Sequence, residues 1–153
     1  MKIKFFGAAR EVTGSKILIT TDSGKRLLLD CGMFQGKGLE TDEMNRTLGF
    51  EPELVDHIIL THAHIDHSGL IPYMYRYGFR GSVICTNATR DLCSIMLADS
   101  AFIQEHDTRT YNKRRAKKGL PLSTPLYTQE DAAERSEESR VGKECRSRWS
   151  PIH

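Results

Sequence analysis

The sequence predicts an α/β layered domain, and three observations carry that prediction. Short β-rich runs crowd the first third: KIKFFG (2–7), SKILITT (15–21) and RLLLDCG (26–32). A fourth run, HIILTH (57–62), is continuously apolar at its centre, which suits a strand buried on both faces. Beyond it the pattern alternates helix, strand, helix, the order in which helices pack against a sheet. At 153 residues, 39% hydrophobic and 27% charged, the chain has the size and composition of one domain with one core.

The elements follow in order. The runs at 15–21 and 26–32 flank Asp22-Ser23-Gly24, a hairpin turn signal. Residues 33–56, rich in Gly, Thr, Asn and Glu, read mostly as a long loop. In SGLIPYMYRYG (68–78), Leu70, Ile71, Met74 and Tyr77 fall at helical spacing; Pro72 sits early enough to be tolerated and Gly78 stops the helix. SVICTN (82–87) reads as a strand. A long helical pattern follows, with Leu92, Ile95, Met96, Phe102, Ile103 and His106 as its packing stripe, running to about Lys118 before GLPLSTP ends it.

Residues 135–153 change character, with no helical or strand period and the only tryptophan, Trp149, among scattered charges. The expected organisation is therefore residues 1–134 as the folded portion and 135–153 as a non-native or disordered tail. That tail holds five Lys/Arg against three Asp/Glu, which leaves seventeen of each sign in residues 1–134, so the net charge of +2 gives no global argument for a polyanionic partner. No apolar run reaches the length of a membrane span, and the start lacks the apolar middle of a secretory signal, so no membrane partner and a cytoplasmic location are expected. Cys31, Cys85, Cys93 and Cys145 form no C-x-x-C pair and read as free thiols. Self-association into a homo-oligomer is left open.

The chemistry concentrates in THAHIDHSG (61–69), which holds three of the six histidines. Imidazole and carboxylate are the common ligands of zinc and related ions, and a loop leaving a buried strand lets near neighbours converge. His62 and His64 share a side by alternation, while Asp66 and His67 arrive as the chain curls into a helix. That suits two neighbouring metal ions, one on His62 and His64, the other on Asp66 and His67. The competing reading is a polar loop of solvated histidines, but the four-residue pattern arises by chance in only about one chain in ten thousand of this length.

On these residues the chain resembles the metallo-β-lactamase superfamily, whose signature THAHIDHSG matches. LLLDCG (27–32) matches the upstream strand of that superfamily, and GAAREVTGS (7–15) with DCGMFQG (30–36) resembles its β-CASP branch, RNA-cleaving enzymes related to ribonuclease J and the messenger-RNA 3′-end processing endonuclease. The resemblance implies the N-terminal, incomplete part of an αββα sandwich. It further implies an intact protein that cleaves single-stranded RNA with two zinc ions, or manganese, activating a water against phosphorus. Asp66 and His67 would be catalytic, and Asp30 would orient the loop without touching metal. A thioester or lactone hydrolase of the same superfamily and a non-catalytic metal-binding fragment are the alternatives.

Weaker features have ordinary explanations. The five cations of YNKRRAKKG (111–119) suit a helix C-terminus, with phosphate contact as the alternative. His57 lies too far from the cluster to join it. Turn geometry alone accounts for Gly14 and Gly32, with close approach near the metal loop as the alternative.

Overall fold

The structure, a computed structural model, describes residues 1–36 and 39–138. Five strands, β1 (Lys2–Gly7), β2 (Lys16–Thr20), β3 (Arg26–Leu29), β4 (His57–Ile59) and β5 (Ser82–Ile84), form one sheet in that order. The first three pair antiparallel, through the expected hairpin; β3, β4 and β5 pair parallel through helical crossovers. Five helices accompany them: α1 (Leu39–Arg46), α2 (Ile65–Ser68), α3 (Ile71–Arg76), α4 (Asn87–Lys117) and α5 (Gln129–Glu138). The α/β class is as expected.

The sheet has two unlike faces. On one, Leu18, Leu28 and Ile58 are almost wholly buried and join Leu70, Ile71, Met74 and Phe79 in the core. Burying each such side chain contributes about 1.5–3 kcal/mol, so this face supplies most of the sheet's stabilisation. The other face, aligned by the strand register, carries Ile3, Phe5, Ile17, Ile19, Leu27, Leu29, Ile59 and Ile84. Here Phe5 is 63% exposed, Ile3 49% and Ile84 48%, and the rest are half-buried. The expectation that β4 is buried on both faces is corrected: Ile58 is covered and Ile59 only in part. A run of apolar residues records that both faces are apolar, not that both are covered.

Other expectations are corrected too. Residues 33–56 contain α1 and a single 3₁₀ turn, Pro52–Leu54. α1 has no strong apolar stripe and is held by tertiary bonds: Asn45 donates to Phe34 O and accepts from Phe34 N (3.0 and 2.7 Å), and Tyr73 Oη donates to Arg46 O (2.9 Å). The helix expected over 68–78 is divided, because Leu70 leaves helical geometry (φ −101°, ψ 7°) between α2 and α3, and Tyr77 lies half exposed.

α4 is present and ends as expected, capped at its start by Thr86 Oγ1, which accepts from Thr89 N at 3.2 Å. Of the expected stripe, however, only Met96 packs on the core, and the helix buries mainly another side. Thr89, Cys93 and Ala101 are buried and Met96 and Leu97 pack on the core, whereas Leu92, Ile95, Phe102, Ile103 and His106 are exposed. Apolar residues lie on both sides of this helix, and its contacts with α5 and α2 choose which side is buried. α5 crosses the expected boundary at Glu134 and continues to Glu138; the remaining tail, with Cys145 and Trp149, lies outside the described residues.

Because Ile3 and Phe5 contribute mainly to the open face, Ile3→Thr with Phe5→Thr is expected to raise solubility and lower the fluorescence of an apolar-surface dye. The melting temperature should change by no more than about 2 °C, read in the same samples by circular dichroism.

Candidate metal-binding site

The site is built where β3 and β4 end. Asp30 follows β3 with φ +58°, a left-handed conformation that aspartate tolerates better than most side chains, and it is buried. Its Oδ1 accepts from Thr61 N (2.8 Å) and Thr61 Oγ1 (3.0 Å), and its Oδ2 lies 2.8 Å from His67 Nδ1. One carboxylate thus ties the start of the histidine loop to its end.

The hydrogen-bond pattern decides which imidazole nitrogens are available. His67 Nδ1 donates to Asp30, which leaves Nε2 with its lone pair. The single hydroxyl proton of Thr61 goes to Asp30, so the 2.9 Å contact between Thr61 Oγ1 and His62 Nδ1 is donated by the histidine. The Nε2 lone pair of His62 is free as well. The His62 ring lies 4.0 Å from that of His67 and 4.7 Å from that of His64, centroid to centroid. His67 Nε2 stands 3.7 Å from Asp66 Oδ2. Two donors on one zinc, each about 2.1 Å away at a tetrahedral angle, are separated by about 3.4 Å, so the Asp66–His67 pair is close to ligand spacing.

All four residues of the sequence motif are therefore brought together. Among the described residues, however, no three His, Cys, Asp or Glu side chains converge as ligands of one ion. The donors suit metal as pairs, not as a complete coordination shell. His57 lies at the far end of β4, its Nδ1 buried and without a partner among the described residues, and His106 is exposed on α4 beside Asp107. Neither joins the cluster.

The backbone around the loop is closely knit. Ser15 N donates to Asp66 O (2.9 Å), Cys31 N to His67 O (2.7 Å) and Met33 N to Ile65 O (3.0 Å). Gly32 is required by proximity: a Cβ there would sit 1.6 Å from Asp66 O and 2.8 Å from Ser15 N. Gly14 is required by both conformation (φ +79°) and the Phe34 ring, 2.6 Å from its would-be Cβ. The close-approach reading holds for both.

Two residues of this frame lie outside what the sequence pattern predicts. Thr61 has a signal, its place directly before His62. Lys16 has none. Its side chain is fully buried on the core side of β2, donates to Gly14 O (3.1 Å) and Gly32 O (2.9 Å), and lies 4.1 Å from the Phe34 ring centroid. No carboxylate pairs with it among the described residues, and burial pushes its ammonium down to about 8, against a smaller raising effect of Cys31. Burial pushes the neighbouring Cys31 thiol up to about 12. Cys31, Cys85 and Cys93 form no disulfide among the described residues, as expected.

The family follows from the sequence around this geometry. A model described as the metallo-beta-lactamase superfamily matches residues 10–93, a span that contains β2, β3, β4 and the whole histidine loop. The chain belongs to the metallo-β-lactamase superfamily. It is 50% identical over 105 residues to "Ribonuclease TTHA0252" of Thermus thermophilus, covering 69% of this chain and 24% of that protein. It is 36% identical over 132 residues to "Transcription termination factor FttA" of Methanothermobacter thermautotrophicus, covering 82% of this chain and 20% of that protein. A solved structure of the short form of human tRNase Z aligns over 65% of this chain and 40% of its own, with 20% identity and a TM-score of 0.42. The chain spans about a quarter or less of the length of these curated relatives. With its mixed sheet it is part of a metallo-β-lactamase fold, and its relatives are of the β-CASP type expected from EVTGS and DCGMFQG.

Two outcomes test this frame. Gly32→Ala is expected to destabilise the fold by more than about 2 kcal/mol in urea unfolding, because backbone must move to admit one carbon. Lys16 gives a pH signature. Between about pH 8 and 10.5 the unfolded chain holds the Lys16 proton and the folded chain does not, so stability rises with pH there. Cys31 acts oppositely from 9 to about 12, where only the unfolded chain releases its proton. Burial also pushes the Cys93 thiol up to about 11, so above pH 9 two thiols oppose the one ammonium; the urea midpoint should therefore climb between pH 8 and 9 and fall above, and Lys16→Met should remove the climb.

Proposed function

We propose that the intact protein is a metal-dependent hydrolase that cleaves RNA phosphodiester bonds, and that this chain supplies the histidine-loop part of its active site. The observation that carries the reading is the hydrogen-bond chain His67–Asp30–Thr61–His62, which uses both Nδ1 protons internally and leaves both Nε2 atoms as donors to metal. Membership of the superfamily and the ribonuclease relative support the substrate class.

In this reading His62 and His64 hold one ion, and Asp66 and His67 the other. Zinc suits imidazole with carboxylate, and manganese accepts the same set. Bound metal supplies Lewis acidity, lowering the pKa of water and stabilising charge on phosphoryl oxygens. The protein's own part is positional. Asp30 keeps the proton on His67 Nδ1 and fixes the ring plane; Thr61 does the same for His62; Gly32 lets the backbone carrying Asp66 lie against the β3 end. Asp66 turns its carboxylate to the same side as His67 Nε2.

A second reading applies to the 153-residue chain by itself: it binds metal and catalyses nothing. The pairwise donor arrangement favours it, since a hydrolytic ion is usually held by about three protein ligands. A thioester or lactone hydrolase uses the same donors against a carbonyl, and assaying the intact protein on labelled RNA and a thioester panel separates the substrates.

Zinc content measured on the purified chain should fall sharply in His64→Ala with Asp66→Ala, and Asp30→Asn should weaken zinc affinity by about 10–100-fold in chelator competition. The zinc- or manganese-loaded chain should not turn over labelled single-stranded RNA. Metal-dependent turnover abolished by His62→Ala would overturn the non-catalytic reading.

A further inference from the structure

The outer face of α4 carries a feature that the histidine loop does not use. At about 100° per residue, Arg109, Lys113, Arg114, Lys117 and the capping Lys118 fall within one half of the helix circumference, opposite the side on which Ala101, Thr108 and Asn112 turn inward. No acidic residue occurs from Thr108 to Lys118. All five cations are exposed, and Lys113, Arg114, Lys117 and Lys118 make no side-chain hydrogen bond or ion pair among the described residues. The helix dipole accounts for cations in the last turn only, and Arg109 and Lys113 lie before it.

Two further observations give this patch a shape. Tyr111 is 42% exposed, and the Arg115 guanidinium lies 5.3 Å from its ring centroid while donating to its hydroxyl at 3.1 Å. Beside it runs a groove of about 540 Å³ lined by Arg46, Arg114, Tyr111, Ser123 and Thr124, with Asp107 and the Arg46-paired Asp42 also on its wall. Its rim is pinned: Asn112 exchanges two 2.8 Å hydrogen bonds with the backbone of Ser123, and Arg46 donates to Thr124 O at 2.6 Å. Arg114, an unpaired cation, stands on the groove wall with Tyr111, and Lys117 and Lys118 carry the cationic face on to the helix end, whereas Arg109 and Lys113 lie on the far side of the helix from the groove. Cations beside an exposed aromatic ring and a hydroxyl-lined groove are what single-stranded nucleic acid needs, phosphate contacts along the strand and a ring for a base to stack on.

We infer that the C-terminal half of α4, with the groove between it, α1 and the 123–126 segment, is a binding surface for the backbone of single-stranded RNA, with Tyr111 as a base-stacking platform. The inference rests on RNA as the substrate class. The surface is distinct from the histidine loop: α2 meets α4 near Cys93, and Lys113 lies about 30 Å further along the helix axis. It would hold a strand at a distance from the site of cleavage.

The test uses the full 153-residue chain in the presence of chelator, so that metal makes no contribution. Binding of a fluorescent single-stranded uridine 20-mer is followed by anisotropy from 50 to 200 mM salt, with inorganic polyphosphate as competitor. Arg114→Gln with Lys117→Gln and Lys118→Gln should weaken RNA binding at least tenfold at low salt. The same variant should flatten the log–log salt slope by about 2, since each phosphate that a cation neutralises on a single strand adds about 0.7 to it. Tyr111→Ala should weaken RNA binding about fivefold or more and leave polyphosphate competition unchanged. Both variants should melt within about 2 °C of the parent chain. Unchanged affinity and slope in the triple variant would overturn the proposal, as would equal loss of RNA and polyphosphate in Tyr111→Ala, which marks a mere cation patch. If RNA does not bind here while the intact protein still cleaves it, this surface alone is wrong. If RNA binds here as described but the intact protein hydrolyses only thioesters, the surface stands and the substrate reading falls.

Discussion

The Asp30 carboxylate is the constraint on which the rest depends. It is buried at the end of β3 in a left-handed backbone conformation, and three donors from the histidine loop converge on it. A buried carboxylate that loses such donors keeps its desolvation cost, so the loop geometry and the strand end are energetically inseparable. Its effect is chemical as well. By accepting the Nδ1–H of His67 and, through Thr61, orienting that of His62, it selects the same tautomer in two side chains five residues apart.

Around that carboxylate the backbone leaves almost no freedom. The loops after β1, β3 and β4 meet edge to edge, with Gly32 against Asp66 and Lys16 donating to the carbonyls of Gly14 and Gly32. Lys16 is an unusual clamp, an ammonium with carbonyl and aromatic partners in place of a carboxylate. Its depressed pKa reflects the desolvation that this arrangement costs. What it gains is a fixed distance between the Gly14 and Gly32 loops.

The two exposed surfaces have different physical meanings. The open face of the sheet is apolar across all five strands, a surface that a layered fold covers with another layer. That fits a chain which is part of a larger metallo-β-lactamase fold, since the relatives are about four times longer than the stretch they share with it, or more. The outer face of α4 instead changes from apolar at Leu92, Ile95, Phe102 and Ile103 to cationic from Arg109 onward. One helix therefore presents an apolar surface and a cationic surface in succession.

The sequence by itself determined the strands, the hairpin, the start of the parallel unit, the superfamily and the identity of the clustered donors. These depend on short-range pattern: alternation, an Asp-Ser-Gly turn, four ligand-type residues in six positions. Tertiary structure alone decided which apolar face was covered. Ile58 and Ile59, or Met96 and Ile95, are equivalent in composition and differ only in what the fold lays against them. It also decided α1, whose residues carry no strong apolar stripe and are held by Asn45 and Tyr73, and the burial of Lys16, which no local pattern announces. The ligand-bearing loop was legible because its chemistry is written in neighbouring residues. The clamp that orders it was not, because Asp30 reaches Thr61 and His67, Gly32 meets Asp66, and Lys16 bonds Gly32 only after the strands between them have paired.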